Sequence, residues 1–371
     1  MLFSKLVITA TGFVQAIYDS AVIQTEYSGL GSRRKLAIMT QQMPTLADVA
    51  EHAGVSEITV SRVVRNKGPI ADATRERVTE SIKLLGYVPN RAAGSLASSG
   101  SMVIGVLLPS LSNIVFPEVL RGIHAAITNT SYQAMIGVTD YDPFMEERLV
   151  ASLMAWKPAA IVLAGFDHTR STNDMLASSR LRVAEIMDID AQPIDVAVGL
   201  SHRKAGFDTG RHLIAKGYRK FGYVGHDWDT DRRARLRFEG LRAALNDAGC
   251  PLIAQKRFDG PSSAVAGKET FGKLYDEHPE LDVVVFSNDD MAVGGYFHCI
   301  GAGIAVKDRV GLFGFNGLDI GLALPMPLST IRSNRYLIGK TAAEKLLQAA
   351  ERPTEKTIID TGYDIVDGAT A

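Results

Sequence analysis

The stretch TLADVAEHAGVSEITVSRVVRN, residues 45–66, decides how this chain is organised, because two short helices and the turn between them can be read from it. Thr45 with Asp48 three residues later forms an N-cap with an acidic partner. Leu46, Val49, Ala50 and Ala53 then fall on one helical face, and Gly54 stops the helix. Ser56 caps a second helix whose inner face carries Val60, Val63 and Val64. Downstream, TRERVTESIKLLG (74–86) predicts a third helix with Val78, Ile82 and Leu85 inward and Gly86 as its stop. The result is a small all-helical module.

The second helix is informative for what it leaves outside. With its valines inward, Glu57, Ile58, Ser61, Arg62 and Arg65 face out. An exposed isoleucine beside arginines at a helix start suits a DNA major groove, where it meets a thymine methyl and Arg bonds both acceptors of guanine. A plain solvated face is the competing reading, and charge does not separate the two. Residues 43–100 hold seven Lys/Arg against six Asp/Glu, a net of +1.

Beyond GYVPN the segment RAAGSLASSGS (91–101) is too small-residued and polar to build a core, and reads as a linker. From Met102 the texture changes. Strands are expected at 103–108, 133–138, 159–164, 220–225, 281–287 and 309–315, separated by helical stretches such as FPEVLRGIHAAITN, MEERLVASLMAW, ARLRFEGLRAALNDAG and NDDMAVGGYFHCIGAG. Such alternation implies βαβ units and parallel sheets covered on both faces. About 270 residues is long for one open sheet, so two Rossmann-like lobes are expected.

Composition narrows the classes. The 371 residues are 46% hydrophobic and 22% charged with net charge −1, which excludes collagen-like and mostly disordered chains and gives no global field for a polyanion. Two cysteines, Cys250 and Cys299, make neither a disulfide scaffold nor a zinc site by themselves, and a reducing cytoplasm is the default. Residues 1–42 read as a disordered leader or an upstream start, with Met39 and Met43 as alternative starts. Its apolar run, broken by Gly12 and Gln15, only loosely matches an export signal. No nucleophile elbow, HExxH, P-loop or GxGxxG after the first strand is present, so no enzyme, cofactor or metal is expected. Asp289 and Asp290 read as first-turn residues that favour a helix dipole.

The string 45–66, followed by TRERV, GYVPNRAAGSLAS and IGVLLPS, closely resembles the lactose/galactose repressor (LacI) family. The likeness continues through ARLRFEGL, FSNDDMAVGG and LSTIRSN, from residue 44 to the C-terminal region. Within the family it looks most like gluconate-operon repressors. The resemblance implies an all-α helix-turn-helix DNA-binding domain (43–89), a hinge helix (90–101) and an α/β two-lobed periplasmic-binding-protein-like effector and dimerisation domain (102–371). Lobe 1 is then about 102–200 with 332–360, and lobe 2 about 201–331 with 361–371. It implies a cytoplasmic homodimeric repressor that binds pseudo-palindromic operator DNA and a small sugar or sugar acid, with no membrane partner. An exported periplasmic sugar-binding protein is the alternative.

Carried residue by residue, the resemblance places Glu57 and Ile58 at specificity positions and Arg62 at a base-reading one. Thr45, Ser56, Thr59, Ser61 and Asn90 match positions that meet phosphates, contacts that set register. Leu96 matches the hinge leucine that wedges into the minor groove, though composition alone reads it as flexible linker. Ala71 departs from a common serine cap, with Asp72 or Thr74 as substitutes. Ligand positions match Ser110, Asn113, Phe116, Asp188, Arg237, Asn288, Asn316 and Ser333, amides, carboxylates, an aromatic and an arginine that suit a polyol. Asn316 stands where relatives commonly have aspartate, which favours an anion, and Arg237 is expected to grip a carboxylate through two parallel bonds. His168, Arg232 and Arg233 are further cations for the cleft, or solvated surface. An aldonic acid is the expected effector, with a neutral sugar or sugar phosphate next.

Overall fold

The computed structural model describes residues 43–89, 101–228, 231–349 and 351–371, and the chain divides after Pro89 into two units. The first holds α1 (Leu46–Ala53), α2 (Glu57–Val64) and α3 (Asp72–Leu85). Its core is Val49, Ala50, Ala53, Val60, Val63, Val78 and Tyr87, with Val64, Ile82 and Leu85 packed against it. Gly54 and Gly86 end α1 and α3 in left-handed conformations, as their positions predict. Neither expected substitute caps α3: its N-cap is Ala71, without a side-chain hydrogen bond, and Asp72 contributes only first-turn charge.

The second unit is built on two six-stranded sheets. The first contains β1 (Val103–Leu108), β2 (Gln133–Val138), β3 (Ala160–Ala164), β4 (Arg182–Ile186), β5 (Val196–Gly199) and β11 (Thr357–Asp360), in the order β11-β5-β4-β3-β1-β2 and wholly parallel. The second contains β6 (Phe221–His226), β7 (Leu252–Phe258), β8 (Val283–Phe286), β9 (Gly311–Asn316), β10 (Ser329–Ser333) and β12 (Tyr363–Val366), in the order β12-β10-β9-β8-β6-β7. One edge corrects the all-parallel expectation, because β12 runs antiparallel to β10. It follows β11 of the first sheet through a short turn at Gly362 (φ 66°), where the chain passes from the first lobe to the second.

The covering helices cross in pairs at glycine. Where α4 (Val115–Ile127) meets α12 (Arg335–Leu347), a Cβ on Gly122 would lie 2.1 Å from the Tyr336 carbonyl oxygen. Where α7 (His202–Ala215) meets α8 (Arg232–Asp247), one on Gly206 would lie 1.9 Å from the Arg237 carbonyl oxygen. These contacts fix α12 on the first lobe, although it follows a strand of the second, and set the height of Arg237. The first-sheet strands β1, β2 and β3 end at Pro109, Thr139 and Ala164, which line a cavity between the lobes. Ligands of open α/β domains sit at that carboxyl edge.

Candidate functional site

On α2 the Ser56 hydroxyl accepts the Thr59 amide at 3.2 Å and so starts the helix. Val60 and Val63 are buried behind it, while Glu57, Ile58, Arg62 and Arg65 are exposed. Ile58 is 67% exposed, an aliphatic side chain without a core to join. Ser61 and Thr59 are half-buried at the edges of this face. Thr45 closes a capping box: its amide donates to the Asp48 carboxylate at 2.7 Å, and its hydroxyl accepts the Asp48 amide at 3.3 Å. The Thr45 amide, together with the Thr45 hydroxyl donating to the same carboxylate at 2.8 Å, holds the Asp48 carboxyl below its usual pKa. Asn90 and Leu96 lie outside the described residues.

In the cleft, the turn after β1 is tied by the Ser110 hydroxyl, which accepts the Ser112 and Asn113 amides at 3.2 Å. Asn113 Nδ2 donates to the Tyr141 hydroxyl at 3.1 Å. Phe116 is fully buried, and the Arg233 guanidinium lies 5.8 Å from its ring centroid. Asp188, also fully buried, accepts the Asp190 amide at 2.8 Å and Arg232 Nη1 at 2.7 Å. Burial raises its pKa, opposed by that amide and by Arg232. Arg232 therefore bridges the lobes. At the α8 N-cap, burial raises the Asp231 pKa, but His226, Arg233 and Arg237 outweigh it and keep the carboxylate ionised.

Arg237 is differently placed from a free carboxylate fork. Its Nη1 donates to His202 Nδ1 at 3.1 Å, and its Nη2 reaches the Ser287 carbonyl at 2.9 Å and Asn288 Oδ1 at 3.3 Å. Its guanidinium stacks 4.1 Å from the Phe315 centroid. His202 is neutral there: burial, Arg237 and Arg233 push its pKa well down, and its Nε2–H donates to the Met187 carbonyl at 2.8 Å. A continuous network thus joins Asp188, through Met187 and His202, to Arg237 and Asn288. At the second lobe crossing, Asn316 adopts φ 125°, and its carbonyl accepts Arg335 Nη1. The Ser333 hydroxyl and Arg335 Nε are buried and, among the described residues, have no hydrogen-bond partner.

The cavity measures about 110 Å³ and is lined by Tyr141, Glu146, Asp167, Asp188, Arg232 and Arg233 among others. Of the eight matched ligand positions only Asp188 is in that lining, with the further cations Arg232 and Arg233 beside it; Arg237 lines a second, smaller cavity with Ser287 and Phe315. His168 is neither a cleft cation nor solvated surface. It is buried in the first lobe, with Nδ1 2.5 Å from Glu146 and Nε2 3.4 Å from Glu185. Burial lowers its pKa, but the two carboxylates outweigh burial and raise it to about 9. Asp289 and Asp290 open α10 (Asp289–Ala302) as expected, and Asp289 additionally accepts the Leu318 amide at 2.7 Å and the Thr330 hydroxyl at 2.6 Å. Sequence reasoning missed His202 and Arg335. The S-H-R-K helix start around His202 carries no ligand signal, whereas Arg335, two residues beyond Ser333 at a lobe crossing, could have been singled out.

An outward-reading helix in a three-helix module, followed by a two-lobed domain with a polar cleft, defines a ligand-responsive DNA-binding regulator. The family model for bacterial regulatory proteins of the lacI family matches residues 45–90, and that for periplasmic binding proteins and the sugar binding domain of the LacI family matches 101–365. The chain is 36% identical over 333 residues to the HTH-type transcriptional regulator GntR of Pseudomonas aeruginosa, covering 88% of this chain and 95% of that one. It is 35% identical over 334 residues to GntR of Escherichia coli, covering 90% of this chain and 100% of that one. A solved LacI-family regulator from Silicibacter pomeroyi superposes with TM-score 0.84 at 40% identity, covering 88% and 99% of the two chains.

The chain belongs to the LacI family. It is a DNA-binding transcriptional regulator with a sugar-binding type of effector domain, which decides against the exported binding protein. Its relatives are regulators, not enzymes. Among the described residues no helix is long and apolar enough to cross a membrane.

Proposed function

We propose that this chain is a cytoplasmic, homodimeric repressor of sugar-acid catabolism genes, released from a pseudo-palindromic operator by an aldonic acid of the gluconate type. The observation that carries it is the outward face of α2, where Ile58, Arg62 and Arg65 are exposed at a capped helix start in front of a valine core. Glu57 and Ile58 select bases beside Arg62, a carboxylate there accepting from cytosine N4. Thr45, Ser56, Thr59, Ser61 and Asn90 hold phosphates, and Leu96 in the hinge 90–101 wedges the minor groove.

The dimer is supported by the edge strand β2, whose Met135 and Ile136 are 40% and 47% exposed, an apolar edge open to a partner. The effector is supported by the GntR relatives and by a cleft that sets the Asp188 carboxylate beside arginines. Ligand binding changes how the lobes meet and disfavours ordered hinge helices; a coupling of ~1–3 kcal/mol changes operator affinity about 5–150-fold. The test is selection of bound DNA from a random pool together with a thermal-shift screen of sugars and sugar acids. A palindrome with a flexible central pyrimidine–purine step, plus a stabilising aldonic acid, is expected. Asymmetric, unrepeated motifs would remove the dimeric repressor.

A further inference from the structure

We propose that Arg232 and Arg233, which lie against the first-lobe wall of the effector cleft, turn aside to hold the anionic group of the ligand, so that the site selects a polyol anion over its neutral counterpart. The inference rests on the sugar-acid reading above.

Both side chains start from the second lobe and end on residues of the first. Arg232 donates to the fully buried Asp188 at 2.7 Å, and its Nε stands 3.8 Å from Asp167. Arg233 covers the face of the fully buried Phe116, and its Nε lies 3.7 Å from Asp231. Among the described residues the Arg233 guanidinium has no hydrogen-bond acceptor. Two guanidinium groups therefore fill the polar and the aromatic positions on the first-lobe wall. The space beside them, about 110 Å³, is small against the roughly 300–1,000 Å³ of ordinary ligand pockets. A six-carbon ligand enters by moving these side chains aside.

Charge then decides which ligand gains. A neutral polyol gives Asp188 new hydroxyl donors but takes Arg232 off its buried carboxylate partner without offering a charge in exchange, which is costly. A polyol with one carboxylate or phosphate supplies both the hydroxyls and the acceptor that an arginine fork matches. The other arginines are engaged: Arg237 through His202, Ser287 and Asn288, and Arg335 through the Asn316 carbonyl. Among the described residues Arg233 holds only a 3.7 Å ion pair to Asp231, its own helix-start neighbour, so it is the first to turn toward an anion.

The experiment is calorimetry of the full chain with gluconate and with glucitol, its uncharged hexitol counterpart, for wild type, Arg233→Gln and the double variant Arg232→Gln/Arg233→Gln. Wild type is expected to prefer gluconate by about tenfold or more, and the double variant to lose that preference. Arg233→Gln removes, among the described residues, no hydrogen bond and one 3.7 Å ion pair to Asp231, and stays informative should the double variant not fold, which thermal unfolding without added ligand reports. Its preference is expected to fall about threefold or more. A preference unchanged in Arg233→Gln overturns the inference and leaves the sugar-acid reading standing. A wild type that binds glucitol or a neutral hexose but no sugar acid overturns both.

Discussion

The outer face of α2 and the cleft between the lobes hold their working side chains in opposite ways. On α2 the valine face is sealed, and Ile58, Arg62 and Arg65 project into solvent with little to hold them. In the cleft, Asp188, Arg237 and Asn288 are buried and already bonded to one another or to His202 and Arg232. The reading face waits for a partner that supplies every contact, so its residues can be exchanged without disturbing the fold. Asp188, Arg237 and Asn288 are held by internal bonds, so a ligand that engages them must replace those bonds, and a substitution among them disturbs several groups at once. Affinity on one side and conformational coupling on the other follow from that contrast.

Substitutions should expose the contrast in order of size. His168→Leu leaves Glu146 and Glu185 as buried carboxylates without their cation, and should cost ~3–5 kcal/mol in denaturant unfolding. The same cluster gives the effector domain a pH signature. A folded His168 pKa of about 9 against an ordinary 6.5 adds stability that is fully present below pH 6.5 and lost as pH rises to 9. The difference is on the order of 3 kcal/mol, visible as a falling Tm over that window in wild type and absent in His168→Leu. On the exposed face the effects move from stability to binding. Arg62→Ala should leave the unfolding midpoint within ~0.5 kcal/mol but cost ~1–3 kcal/mol of operator affinity, with relaxed preference at one base pair per half-site. An unchanged base preference would take Arg62 out of the reading role. Ser56→Ala, which removes the α2 cap, should cost ~1 kcal/mol of module stability by thermal unfolding.

What could be read in advance divides along the same line. A single helix separates inside from outside by spacing, so α1, α2 and α3, the Thr45 and Ser56 caps and four of the five outward residues were legible, Ser61 alone being half-buried. Strands β1 and β2 matched to the residue because β1 is an uninterrupted apolar run and β2 is apolar after Gln133. Strand β4 escaped because RVAEI carries two charges in a fully buried strand. They are tolerated only through partners distant in sequence: Arg182 pairs with Asp195 at 2.7 Å, and Glu185 with His168. Cleft residues depend on such pairings throughout. The family resemblance placed Phe116 and Arg237 at ligand positions, yet could not show that Arg233 covers the ring or that His202, Ser287 and Asn288 hold the guanidinium.

The central claim, that a sugar acid in the cleft governs the DNA face, is tested most directly by fluorescence anisotropy of the selected operator with and without saturating gluconate at fixed salt. The account predicts that gluconate weakens operator affinity about 5–150-fold while an equal concentration of sodium chloride does not. Operator affinity that is the same with gluconate as with the salt control, although calorimetry shows gluconate bound, would contradict it.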